Sequence, residues 1–209
     1  MFFPTDILYL MKITAHQQNQ IKVIDEIGQQ IKKNSLRFST VSPIDDYEND
    51  PRISLTNVHF PNEKLTKIIQ NAFINPLIKI HPNHYFYSND SLHMTIKNIR
   101  VVSNPPQFTQ CDVKHAKNIF QDVIPKHNKF YVYFYRLMLF PHNLSLIGTT
   151  DPELNKIVLD LDNRLKKANI PDDKQYVNSQ FSFPTLPSFV LLHQLLMNLL
   201  KKLKNCLNT

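Results

Sequence analysis

Glycine is almost missing from this 209-residue chain: Gly28 and Gly148 are the only two. Glycine-rich phosphate loops, of the Walker or the dinucleotide-binding type, need several glycines close together, so both are excluded. Any phosphate handled here is handled by side chains. Cysteine is as scarce, with only Cys111 and Cys206. Two cysteines so far apart make neither a disulfide framework nor a zinc pair, so a reducing, cytoplasmic compartment is expected. No apolar run reaches the roughly 18 residues of a membrane span. The apolar stretch from Met1 to Met11 is broken by Pro4 and Asp6 and has no basic region ahead of it, so no signal peptide is expected.

Fourteen prolines supply the punctuation that glycine does not. The apolar fraction of 42% is that of an ordinary folded protein. A net charge of +7 leans toward polyanionic partners such as nucleic acid, although the lysines are scattered apart from a cluster near Lys201.

Ile21, Ile24, Ile27 and Ile31 recur at spacings of three and four and predict an amphipathic helix from His16 to Lys33. Residues 34–52 are polar and acidic and read as a loop, and Ile53 to Phe60 as a strand. Pro61 suits a helix start, Leu65, Ile68, Ile69, Ala72 and Phe73 give that helix a buried face, and Asn75-Pro76 is expected to stop it. His84 to Tyr87 and Ser91 to Val102 read as adjacent antiparallel strands around a short turn. Thr109 and Asp112 resemble a capping box that opens a helix. Phe130 to Phe140 and Asn143 to Gly148 read as strands, with Tyr131, Tyr133 and Tyr135 on one face. Asp151-Pro152 is read as a cap and first turn, and Leu154, Ile157, Leu161 and Leu165 as the buried stripe of the helix that follows. Tyr176 to Leu186 is the last strand candidate, and 190–207 a largely apolar helix with a basic end. The expected class is α+β, with two similar lobes of antiparallel sheet and flanking helices around a central cleft. One bilobal domain over 1–209 is expected, with an N-terminal helix and loop in 1–50 and a C-terminal helix in 190–209.

The chemistry concentrates in Ser91-Leu-His-Met-Thr-Ile-Lys-Asn98, where apolar and polar residues alternate. Strand parity sends Leu92, Met94 and Ile96 into a core and lines up His93, Thr95 and Lys97 on the other face. That row holds an acid/base group, a hydroxyl and a phosphate-seeking cation.

His84-Tyr-Phe-Tyr87, then Ser91-Leu-His-Met-Thr-Ile96, then Pro105-Pro-x-Phe108, resembles the first half of the two-histidine (2H) phosphoesterases. These include the 2′-5′ RNA ligase-like proteins and cyclic phosphodiesterases. The second half is similar in layout: the aromatic strand, Leu139-Phe-Pro141, Leu144-Ser-Leu146, Pro152 with its helix, and a final strand. The likeness runs from about residue 50 to about 189. It implies two lobes, each carrying a His-x-Thr or His-x-Ser strand, that face each other across a cleft. The implied activity is metal-independent opening of a 2′,3′-cyclic phosphate or a 2′-5′ linkage in RNA or a nucleotide. One imidazole takes a proton and another gives one, while the hydroxyls hold the phosphoryl oxygens. No metal and no cofactor is implied. His93 carries over as acid or base, and Thr95 as a phosphate ligand. Lys97, as an electrostatic helper in substrate binding, comes from strand parity and not from the family motif.

The second motif departs from the pattern. It falls at Phe181-Ser-Phe-Pro-Thr185, where Thr185 matches the second threonine and Phe183 stands in the histidine's place. Ser182 lies on the opposite face from Thr185, and Pro184 lacks an N–H for the ladder. Two further readings stay open. One is a degenerate protein that holds an RNA end or nucleotide without turnover. The other is a docking protein that works through the 190–207 helix.

Overall fold

The computed structural model describes residues 13–36, 44, 46–80, 82–173 and 184–190. It is an α+β arrangement built on two antiparallel sheets. Helix α1 (Ala15–Lys32) opens on a capping box: the Thr14 hydroxyl accepts from the Gln17 N–H, and the Gln17 side chain accepts from the Thr14 N–H. Strand β1 (Ile53–His59) follows, then α2 (Glu63–Ile69), a π turn (Gln70–Ile74) and α3 (Asn75–Ile80). Pro76 therefore does not stop the helix as expected. The Asn75 N–H reaches back five residues to the Gln70 carbonyl, and this wide turn absorbs a proline that cannot donate.

Strand β2 (Tyr85–Phe86) leads through a 3₁₀ turn (Asn89–Ser91) to β3 (Met94–Ser103). These two do not pair with each other, contrary to the hairpin expected from sequence. β2 pairs with β6 (Thr185–Val190), and β3 pairs with β1. The Ser88 carbonyl accepts from both Ser91 N and Leu92 N, and this tight turn hands the chain from one sheet to the other. Leu92, fully buried, is the pin at the crossing. The remaining elements are α4 (Gln110–Val123), β4 (Val132–Leu139), β5 (Asn143–Thr150) and α5 (Glu153–Lys167). The larger sheet runs β2-β6-β5-β4, and the smaller is β1-β3.

Helix α4 carries the expected capping box between Thr109 and Asp112. At α5 the cap differs from expectation. Pro152 occupies the cap position without a side-chain bond, and the Asp151 carboxylate instead accepts from the Tyr131 N–H. The apolar stripe of α5 is as predicted, with Leu154, Ile157, Leu161 and Leu165 all buried. It packs with α4 beneath β3, around Ile99, Ala116, Val123 and Ile170. A second core joins Ile69, Ile74 and Leu92 to Leu146 and Leu186 of the larger sheet. A third seats Val23, Ile24 and Ile27 of α1 on Met138 and Ile147. Val190 ends β6, and the helix expected over 190–207 otherwise lies outside the described residues, as does most of the strand expected from Tyr176.

A buried amide fixes α1 in place. Gln20, with no exposure, donates to the Thr150 hydroxyl at 3.0 Å and accepts from the Thr150 N–H at 2.9 Å. Gln20→Leu strands both Thr150 groups in the interior. The expected loss is about 1–3 kcal/mol of unfolding free energy, read by urea denaturation. An unchanged midpoint means that the Gln20–Thr150 bonds add nothing net to the hold on α1.

Candidate functional site

His93 immediately precedes β3, and Thr95 is the second residue of that strand. The His93 Nδ1 lies 2.7 Å from the Ser91 carbonyl oxygen. A carbonyl only accepts, so Nδ1 carries the proton and Nε2 is the basic nitrogen. The bond fixes the ring's orientation from within its own loop. Phe60, opposite on the β1 side, meets the imidazole edge-on with centroids 6.3 Å apart.

Lys97 is not on this face. The pairing steps from Thr95↔Val58 to Lys97↔Asn57, which leaves Ile96 as an extra residue in β3. Such a bulge reverses strand parity beyond it. Ile96, Lys97 and Ile99 therefore all turn toward α4 and α5. Lys97 is 3% exposed, with its ammonium 2.7 Å from Asp172 and 3.2 Å from Asp162. The expected substrate-binding role is corrected accordingly: the cation is spent inside the fold. Burial, the largest influence on Asp162, pushes its carboxyl up, but Lys166 and Lys97 together outweigh it and hold it below its ordinary value.

The bulge brings Asn98 into the row that Lys97 was expected to complete. Asn98 donates to the hydroxyl of its cross-strand partner Thr56 at 3.1 Å. Its Oδ1 is buried and accepts no hydrogen bond among the described residues. The face thus presents an imidazole, a hydroxyl and a carboxamide. Only the bulge could have revealed Asn98 from sequence, and nothing in the alternation signals it.

Thr185 opens β6 and pairs with Ile147. Directly opposed residues share a face of a sheet. Ile147 packs on α1, so Thr185 turns that way, while its neighbour Leu186 faces the core shared with Leu92. No hydrogen bond joins Thr185 to His93 or Thr95 among the described residues. Phe183 lies outside the described residues. His142 sits in the turn between β4 and β5. That is the end of the sheet where β6 finishes at Val190, not where it begins at Thr185. His193 is outside the described residues.

No protein-family model matches this chain, and no curated protein matches it. The site's chemistry is therefore argued from its own residues.

The tyrosine face divides in two. Tyr131 is exposed and lies 6.3 Å from Tyr133, centroid to centroid, whereas Tyr135 packs against the α1 core. Burial pushes the Tyr135 hydroxyl up to about 12. Among the described residues, no group of three or more His, Cys, Asp or Glu side chains is placed to hold a metal, and no helix is long and apolar enough to cross a membrane.

Proposed function

We propose that this chain is a phosphoesterase of the 2H type, acting in the cytoplasm on the 2′,3′-cyclic phosphate or 2′-5′ linkage of RNA or a nucleotide. The observation that carries the reading is the orientation of His93. Its Nδ1–H is tied to the Ser91 carbonyl at 2.7 Å, which leaves Nε2 as a base beside the Thr95 strand. In the step, water attacks phosphorus as Nε2 takes its proton. The bond from phosphorus to one ribose oxygen breaks, and that oxygen is protonated by a second donor, solvent where no second imidazole stands. Thr95 donates to a phosphoryl oxygen and keeps the group in line.

The position of Thr185 and the phenylalanine at 183 favour a second reading, a protein that binds the same phosphate end without turnover. Incubating the purified chain with a 2′,3′-cyclic nucleotide and a chelator separates the two. A 2′- or 3′-monophosphate product supports the enzyme. Saturable, salt-sensitive binding with no product supports the binder. Neither binding nor product overturns both, and activity that the chelator removes overturns the mechanism.

A further inference from the structure

A depression of about 520 Å³ is lined by Phe60, Pro61, Glu63, Thr66, Asn89 and Asp90, and Phe60 also meets the His93 ring edge-on. Phe60 is 56% exposed, an unusual state for a large aromatic ring, and its edge-on partner is the candidate base itself. The other polar lining groups include Asn89 and Asp90, from the turn that also supplies the Ser91 carbonyl. Asn89 Oδ1 is occupied: it accepts from Gln70 Nε2 at 2.5 Å. The free end of that amide is therefore its NH₂ donor. Glu63 is engaged by Lys67 at 2.6 Å. Asp90 adds a carboxylate acceptor directly beside Asn89, and the Thr66 hydroxyl, which donates to the Asn62 carbonyl, can still accept on the same rim.

We propose that this depression recognises a guanine base on the nucleotide whose phosphate His93 serves. The inference rests on the phosphoester reading above and adds its base specificity. Adjacent residues offer a donor, the Asn89 amide, and an acceptor-only carboxylate, Asp90. The Watson–Crick edge of guanine shows the complement in order: the O6 acceptor, then the N1–H and N2–H₂ donors. Asp90 takes the two donors in a bidentate pair, Asn89 donates to O6, and the exposed face of Phe60 stacks on the ring. Uracil sets its O2 lone pairs against the carboxylate, and cytosine and adenine present only one donor group beside acceptors. The Phe60 ring is 6.3 Å from the His93 ring, centroid to centroid, and the proposal requires the ribose and phosphate of the stacked nucleotide to pass to the imidazole's side of Phe60.

The test is calorimetric binding of guanosine, adenosine, cytidine and uridine 2′,3′-cyclic phosphates to the full chain, with turnover followed in parallel. Guanosine is expected to bind about tenfold or more tighter than uridine, the discrimination of one good bidentate pair. Asp90→Asn, at an exposed position, is expected to cut that ratio to about twofold or less, because an amide can no longer take both donors. Four nucleotides bound alike and opened alike overturn the guanine assignment and leave the phosphoester reading standing. A ratio unchanged in Asp90→Asn also overturns it. Failure of all four to bind overturns both.

Discussion

Lys97→Met is expected to lower the unfolding free energy by about 3–5 kcal/mol, read as a fall in the urea midpoint, because it removes one partner from a buried ion pair. Methionine keeps the length and most of the apolar stem. What it cannot keep is the charge between Asp172, 6% exposed on its side chain, and Asp162. Asp172 then stays buried without that ammonium, while the quarter-exposed Asp162 keeps Lys166 at 2.6 Å. Lys97→Met combined with Asp172→Leu is expected to lose less than Lys97→Met alone, since replacing both partners removes the stranded charge. Had Lys97 faced substrate, the same substitution would weaken phosphate binding and leave the midpoint nearly untouched. That outcome would reject the inward placement.

The same cluster sets an acid limit. Asp162 is held below its ordinary value in the folded chain, so folding favours its ionised form. The stability it contributes is complete above the unfolded carboxyl value, about 4. It is lost as pH falls through the lower folded value. Stability therefore declines on acidification below about pH 4, and in Lys97→Met that part of the decline is smaller, because one of the two lysines that depress Asp162 is gone. An identical acid limb in both proteins would show that Lys166 alone sets it.

The helices were legible in the sequence because their information is local. The isoleucine spacing of α1, the Thr109–Asp112 cap and the leucine stripe of α5 each lie within a few turns of chain. The sheets were half legible. Strand positions followed from β-forming runs, but β2 and β3 join different sheets, because the seven residues between them, which read as a hairpin turn, carry the chain across instead. On the candidate face, the placement of His93 and Thr95 followed from alternation, whereas Lys97 and Asn98 exchanged places. That exchange turns on one inserted residue, Ile96, whose apolar side chain fits the alternating pattern and the bulge equally well. The Gln20–Thr150 lock was invisible for another reason: its partners are 130 residues apart.

The bulge also isolates the acid/base question in one residue. With Lys97 turned inward, His93 is the acid/base candidate on that face among the described residues, and the proposed function assigns the proton transfer to it. His93→Ala is then expected to lower kcat for a 2′,3′-cyclic nucleotide by about 10²–10⁴-fold, the share a positioned acid or base supplies. KM is expected to move little, because stacking and the Thr95 hydroxyl remain. Stability should hardly change, since the ring is half-buried and its hydrogen bond is to a loop carbonyl. His93→Gln sharpens the comparison: an amide can still donate to Ser91 but has no basic nitrogen, so it should be as slow as alanine. Recovery of rate in His93→Gln would make His93 a positioning residue, and full activity in His93→Ala would remove it from the chemistry altogether.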